Sequence, residues 1–319
     1  MATYSYTDCL QNSYRVNWRI GDVLDGRRFD LSRRWLPTQL SGADAIASLS
    51  PEEKTKLSHV EMGAYAHLFG YVEEFIAPKM GALARDFEID HRDAFDALTN
   101  FAAEEVKHMN LFREVRNRVD DTLGFPLALV SGQKDVARAV LSKQTGAVLL
   151  LTAAIEWFTQ LHYLSCFKDN DALDPFTRQI FKCHWLEESQ HARMDHLETL
   201  RAFSGIGPER RDAAVADLIE LVGAVDGLLQ QQAGLDVENL QRYLDRGLSP
   251  STLQEVYAAV LDAKRYTFIA SGVTHPNFQE LFGAVTTGAQ QENVQKALAG
   301  ILQPAAGQMA VMDLAPVSA

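Results

Sequence analysis

The sequence predicts an all-α protein: a four-helix bundle followed by additional C-terminal helices. Two observations carry this prediction. Apolar residues recur at helical spacing in long stretches punctuated by glycine and proline, and strand-like alternation is scarce. Four of these stretches are each about 30 residues long, far above the usual ~11–12. Helices of that length, joined by short or medium loops, pack as an antiparallel bundle.

The first long helix has the clearest start, at Ser50-Pro51-Glu52-Glu53. Serine caps the helix, proline fits its first position, and glutamate follows three residues after the cap. We expect this helix to end near Ala84 and residues 1–48 to lack a clear assignment. The other three core helices are expected over about 91–119, 134–167 and 174–205, and the accessory helices over about 209–229, 253–270 and 290–302.

These elements predict a single elaborated helical domain over residues 1–319. Its metal-binding bundle core is expected over about 50–205, its accessory helices over about 207–302, and a small, apolar tail over 303–319.

The amino-acid composition of the chain disfavours two classes of binding partner. The chain has 30 lysines and arginines against 42 aspartates and glutamates, a net charge of −12. This balance disfavours a nucleic-acid binder or a polybasic membrane-surface protein, both of which need a basic face. The three cysteines (Cys9, Cys166 and Cys183) are too widely spaced for a disulfide framework or a zinc ribbon, and no secretory signal is seen. We therefore expect a cytoplasmic protein.

Two Glu-x-x-His motifs carry the chemistry, Glu105 to His108 and Glu188 to His191. The spacing puts each carboxylate and imidazole on one helix face. One such motif is weak evidence, because a solvated pair is its usual explanation. Here Glu105 and His108 interrupt an apolar stripe, and His184 lies on the same face as Glu188 and His191.

Glu156 is the single charged residue in the segment 146–158, which is apolar all round and belongs in a protein centre. The segment is too short for a membrane span. A buried, ionised carboxylate is costly unless a cation neutralises it. A metal ion is one solution; a protonated Glu156 or a pair with an arginine are the alternatives.

The first core helix contributes Glu73 or Glu74. The triplet Glu74-Phe75-Ile76 parallels Glu156-Trp157-Phe158, as if two helix pairs were repeated, and this favours Glu74. Glu73 remains an alternative because its own face is also apolar.

The joint order, Glu, Glu-x-x-His, Glu, Glu-x-x-His, is that of carboxylate-bridged di-iron bundles. Four carboxylates would balance the charge of two divalent ions that prefer oxygen and imidazole ligands. The outer nitrogens of ligating imidazoles need acceptors, for which Asp195, Glu104 and Glu187 are the candidates.

With His184 added, the set resembles the p-aminobenzoate N-oxygenase family of ferritin-like di-iron carboxylate oxygenases, over about residues 60–200. The resemblance implies two Fe ions (or Mn/Fe), O2 and an external electron donor such as a reductase or ferredoxin. It also implies oxidation of the amine nitrogen of a small organic substrate by an iron-bound peroxide. The resemblance rests on Glu74, Glu105, His108, Glu156, His184, Glu188 and His191.

Other hypotheses assume the same helical bundle but assign it a different activity. They are C–H hydroxylation, desaturation or a Mn/Fe ligand-binding oxidase, and iron storage or ferroxidase activity in a cage. A helical scaffold without metal is the remaining alternative. Metal content and particle size separate these hypotheses, and the accessory helices are compatible with a homodimer.

Overall fold

The computed structural model describes residues 4–87 and 91–304, and it confirms the all-α bundle with additional helices. Within these two ranges the backbone forms helices and no strand. In chain order the α-helices are α1 (Tyr6–Arg15), α2 (Ile20–Leu24), α3 (Thr38–Ser41), α4 (Pro51–Ala84), α5 (Arg92–Leu123), α6 (Gln133–Leu141), α7 (Thr145–His162), α8 (Pro175–Ser204), α9 (Pro208–Tyr243), α10 (Pro250–Arg265), α11 (Ser271–Val273), α12 (Pro276–Val285) and α13 (Gly288–Ile301).

The four core helices are α4, α5, α7 and α8. The predicted capping box starts α4: the Ser50 hydroxyl accepts from the backbone N–H of Glu53 at 3.2 Å, and Glu53 accepts from the backbone N–H of Ser50 at 2.8 Å. At the start of α8, the Asp174 carboxylate accepts from the backbone N–H of Thr177 at 2.9 Å. Local capping therefore fixes where both helices enter the bundle.

The third predicted helix is wrong as one unit, because the chain breaks it into α6 and α7. The break is stabilised from a distance: Asp217 on α9 accepts a 2.8 Å hydrogen bond from the backbone N–H of Gln144, just before α7 begins. A cap supplied by another helix leaves no signal in the local sequence.

The accessory region is also more helical than expected. The helix α9 continues through a glutamine-rich stretch to Tyr243. Two of its polar side chains accept hydrogen bonds from the segment that precedes α6. Gln232 accepts from the backbone N–H of Val130 at 2.9 Å, and Asn239 accepts from the backbone N–H of Ala128 at 2.8 Å. The helices α1–α3, α11 and α12 were not predicted. Of the predicted tail, residues 305–319 lie outside the described ranges.

The helix α7 and the π-helical turn after it, Thr145–Phe167, are long and apolar enough to cross a membrane. The most apolar window of this segment is, however, 94% buried inside the protein, as in a core helix. Gly272 of α11 packs directly on it: a Cβ atom there would lie 2.4 Å from the backbone oxygen of Ala154. Only glycine permits this approach between the accessory helices and α7.

A buried charge network joins the core to the accessory helices. The ammonium nitrogen of Lys264 (α10) lies 2.6 Å from a carboxylate oxygen of Glu61 (α4) and 2.8 Å from one of Asp236 (α9). All three residues are at most 2% exposed. Burial would lower the pKa of Lys264, but the two carboxylates raise it, so the lysine stays charged.

We expect Lys264→Met to destabilise the protein by about 3–5 kcal/mol, because it leaves two buried carboxylates without a cation. Chemical denaturation with urea measures the loss. Lys56→Met is the control, since Lys56 pairs with the exposed Glu52 at 3.5 Å and its removal is expected to change stability by at most about 1 kcal/mol. Equal unfolding midpoints for the two variants would contradict this account.

Candidate metal centre

Seven acidic and imidazole side chains converge inside the bundle, each at most 2% exposed. All four core helices contribute: α4 and α7 give one glutamate each, and α5 and α8 give the two Glu-x-x-His motifs and the additional histidine. The seven residues are Glu73, Glu105, His108, Glu156, His184, Glu188 and His191.

The structure places Glu73, and not the favoured Glu74, in the cluster. Glu73 points into the cluster, with a carboxylate oxygen 3.5 Å from Nε2 of His184. Glu74 is only half-buried and lines a separate outer pocket together with Arg113 and Arg116. Neighbouring helical residues point about 100° apart, so only one of the two can face the core. The rotation of α4 against its neighbours decides which one, and the triplet comparison did not contain that information.

Six of the seven residues form two overlapping groups of four, in which the ligand atoms lie within 4.8 Å of one another. His108 and Glu188 belong to both groups. Nδ1 of His108 and Nε2 of His184 lie 2.9 and 2.6 Å from the same oxygen of Glu188, yet neither contact has the angles of a hydrogen bond. These imidazole nitrogens and carboxylate oxygens are atoms of the kinds that bind metal ions, and each group of four could hold one ion. The groups are Glu73, His108, His184 and Glu188, and Glu105, His108, Glu188 and His191.

Glu156 is the seventh residue and lies outside both groups. It lines the same small void as Glu73, Glu105 and Glu188. One of its carboxylate oxygens is buried without a hydrogen-bond partner among the described residues, so the pairing with arginine is not found there. Burial and the charge of Glu188 raise the pKa of Glu156 well above its usual value.

The charges of the cluster require compensation. Burial, with the charge of Glu105 added, raises the pKa of Glu73 to about 8. Burial would lower the pKa of His108 and of His191, but the charge of Glu188 and the surrounding carboxylates raise both well above the usual value. In the absence of metal, protons therefore hold the cluster together. Two divalent cations would supply positive charge in place of those protons, and carboxylates and imidazoles are donors that such ions accept.

Two carboxylates orient the imidazoles from outside the cluster. The Nε2–H of His108 donates to Glu187 and that of His191 donates to Glu104, both at 2.8 Å. Each Nδ1 then faces the cluster, which is how a second hydrogen bond fixes the tautomer of a metal ligand. Asp195 differs: it is buried on α8 and hydrogen-bonds none of the three imidazoles among the described residues.

Further residues support these carboxylates, and the sequence analysis missed them. Ser13 of α1 donates to Glu104 at 2.7 Å, and Gln190 donates to the other oxygen of Glu104 at 2.8 Å. The ring of Trp18 stacks on His108 with centroids 5.9 Å apart, and Lys107 pairs with Glu187. Gln190 and Lys107 lie inside the two motifs and could have been suspected. Ser13 and Trp18 carry no such signal.

Aromatic rings enclose the histidines. Phe101 stacks on His191 with centroids 3.8 Å apart, while Phe69 and Phe112 meet His184 edge-on at 5.3 and 4.8 Å. These rings exclude water, and a dry surrounding strengthens every electrostatic contact within the cluster.

The family model of p-aminobenzoate N-oxygenase AurF matches residues 10–229. Among solved structures, a mutant of an R2-like ligand-binding oxidase with an aerobically reconstituted Fe/Fe cofactor is 14% identical, with 89% of this chain and 94% of that chain covered and a TM-score of 0.46. Another mutant, with an anaerobically reconstituted Mn/Fe cofactor, is 14% identical over 89% of this chain and 93% of that chain, with a TM-score of 0.47. No curated protein matches the chain.

The family match spans well over half of the 319 residues and includes all seven residues of the cluster. The chain therefore belongs to the p-aminobenzoate N-oxygenase AurF family and is a di-metal oxygenase.

Proposed function

We propose that the protein uses two iron ions, O2 and external electrons to oxidise the amine nitrogen of a small organic substrate. The observation that carries this proposal is the buried cluster of four carboxylates and three imidazoles, drawn from four helices, inside a chain of the N-oxygenase family. Iron and manganese ions both bind oxygen and imidazole donors of this kind. Metal analysis of the protein therefore has to distinguish an Fe/Fe pair from a Mn/Fe pair.

When bound, the metal pair would supply the reduction of O2: an amine RNH2, O2, two electrons and two protons give the hydroxylamine RNHOH and water. The residues of the chain hold the ions, orient the imidazoles and exclude water. The seven cluster residues hold the ions, and Glu104 and Glu187 keep Nδ1 of His191 and His108 directed at them. The aromatic rings around the histidines keep bulk water out. The electrons come from a donor of the reductase or ferredoxin class.

Family membership favours an oxygenase over iron storage. C–H hydroxylation and desaturation use the same donor set, so product analysis separates them from N-oxidation. Cys9, Cys166 and Cys183 are all buried and unpaired, which suits the reducing cytoplasm where we place the protein.

Glu73→Ala is expected to lower bound iron from about two ions per chain towards one, because it removes a ligand of the cluster. Elemental analysis after anaerobic loading with Fe(II) and desalting gives the count. Glu74→Ala is the matched control, being the adjacent residue on the same helix, and it should keep both ions. Circular dichroism of the metal-free variants checks that both are folded before iron is added. Metal loss in Glu74→Ala alone would contradict the assignment.

His184→Ala is expected to weaken one metal site and to reduce amine oxidation, since His184 is the additional imidazole of the cluster. Iron titration followed by competition with a chelator measures the affinity, where loss of one ligand should lower it by roughly 10-fold or more. His196→Ala, on the same helix but outside both ligand groups, serves as the control. Unchanged affinity and activity in His184→Ala would remove this histidine from the site.

The ferrous protein, supplied with electrons and 18O-labelled O2, should convert an arylamine to a hydroxylamine or a more oxidised product that carries the label on nitrogen. Mass spectrometry of the product shows where the label is. The Glu156→Ala variant is the control, and it should yield no labelled product. Label on carbon, or O2 consumption by the wild-type protein without a labelled product, would contradict N-oxidation.

A further inference from the structure

A second, larger cavity lies beside the metal cluster. It has a volume of about 310 Å³ and is bounded by α4, α6, α7 and α9, with one residue from the π-helical turn after α10. This is roughly twice the ~150 Å³ that holds benzene in an engineered protein cavity. It therefore has room for a substituted single-ring molecule.

The cavity and the metal cluster share a wall that is one side chain thick. Val72 and Ile155 line the cavity on one side and the small void of the cluster on the other. Each directly precedes a cluster glutamate, Glu73 and Glu156 respectively. A molecule in the cavity would thus be separated from the cluster only by the side chains of Val72 and Ile155, on the side that α4 and α7 provide.

The lining of this cavity is chemically uniform. Of the described residues that form it, only Tyr71 and Gln231 carry polar side chains, and none is charged. The hydroxyl of Tyr71 already donates to the backbone oxygen of Ser131. An anionic group inside the cavity would have no cationic partner, and burying an unpaired carboxylate costs several kcal/mol.

The outer pocket that contains Glu74 is the rival site, because Arg113 and Arg116 could bind an anion there. It is smaller, at about 180 Å³, and it shares no lining residue with the void of the metal cluster. Phe112 lies between that pocket and His184. An amine held by the two arginines would therefore have the Phe112 ring between it and His184, in a pocket that has no wall in common with the void of the cluster.

We propose, on the basis of the proposed function, that the substrate is an uncharged, apolar arylamine without a carboxylate, bound in the 310 Å³ cavity. Its amine end lies against Val72 and Ile155. An arylamine nitrogen is neutral near pH 7, whereas an alkylamine would be protonated like lysine and would carry a charge into an apolar site. The p-aminobenzoate anion, which appears in the name of the family, is charged and therefore does not fit this apolar cavity.

A substitution at the mouth of the cavity tests whether the substrate binds inside it. Ala139 and Ala224 are exposed, so the cavity opens between α6 and α9. Gly227 lines it, and a Cβ atom on Gly227 would meet nothing within 4 Å. The first side-chain atom of Gly227→Phe therefore has open space at the cavity lining. Gly223, one turn earlier on α9, is equally open but does not line the cavity, so Gly223→Phe is its matched control.

The experiment compares 4-aminobenzoate with its uncharged methyl ester. Isothermal titration calorimetry on the iron-loaded full-length protein, without an electron donor, measures binding apart from turnover. We expect the ester to bind at least roughly 100-fold more tightly than the acid. Gly227→Phe should weaken binding of the ester by at least roughly 10-fold, and Gly223→Phe should leave it unchanged.

Equal binding of the acid and the ester, or binding of the ester that Gly227→Phe does not alter, would overturn the proposal. Turnover with 18O-labelled O2 separates this failure from failure of the proposed function. If 4-aminobenzoate is oxidised as well as the ester, N-oxidation stands and the uncharged substrate class falls. If the ester binds as expected but no amine is oxidised, the cavity assignment stands as a binding site and N-oxidation falls.

Discussion

The need to neutralise four buried glutamates governs the centre of this protein. Glu73, Glu105, Glu156 and Glu188 are each at most 2% exposed, and ionised carboxylates in such a place require cations. Because the glutamates come from four different helices, cations bound among them would also tie those helices together. The helix faces that pack against each other are the faces that carry these carboxylates.

Sequence alone predicted most of the residues that the structure brings together in the cluster, because helical spacing fixes which residues share a face. Glu105 with His108, and Glu188 with His184 and His191, follow from positions along single helices. The choice between Glu73 and Glu74 did not follow, since it depends on how α4 is rotated against its neighbours. The break before α7 was missed for the same reason: its cap, Asp217, belongs to another helix.

The helices outside the four-helix core contact the residue cluster, the apolar cavity and the buried charge network. The N-terminal helix α1 reaches the metal cluster through Ser13 and Glu104, and Trp18 after it covers His108. The helix α9 bounds the apolar cavity, and Lys264 of α10 is held between α4 and α9. Single-sequence patterns reveal that such segments are helical or loop-like, but not what they contact, because those contacts bridge large sequence separations.

The contact between Ser13 and Glu104 has a consequence for synthesis of the chain. Ser13 leaves the ribosome first, but Glu104 follows 91 residues later, and its partner His191 follows 87 residues after that. The cluster is complete only when α8 has emerged, so the nascent chain exposes unpaired carboxylates and apolar faces until then. A metal ion that needs residues of α8 would consequently bind only after the fourth core helix has been made.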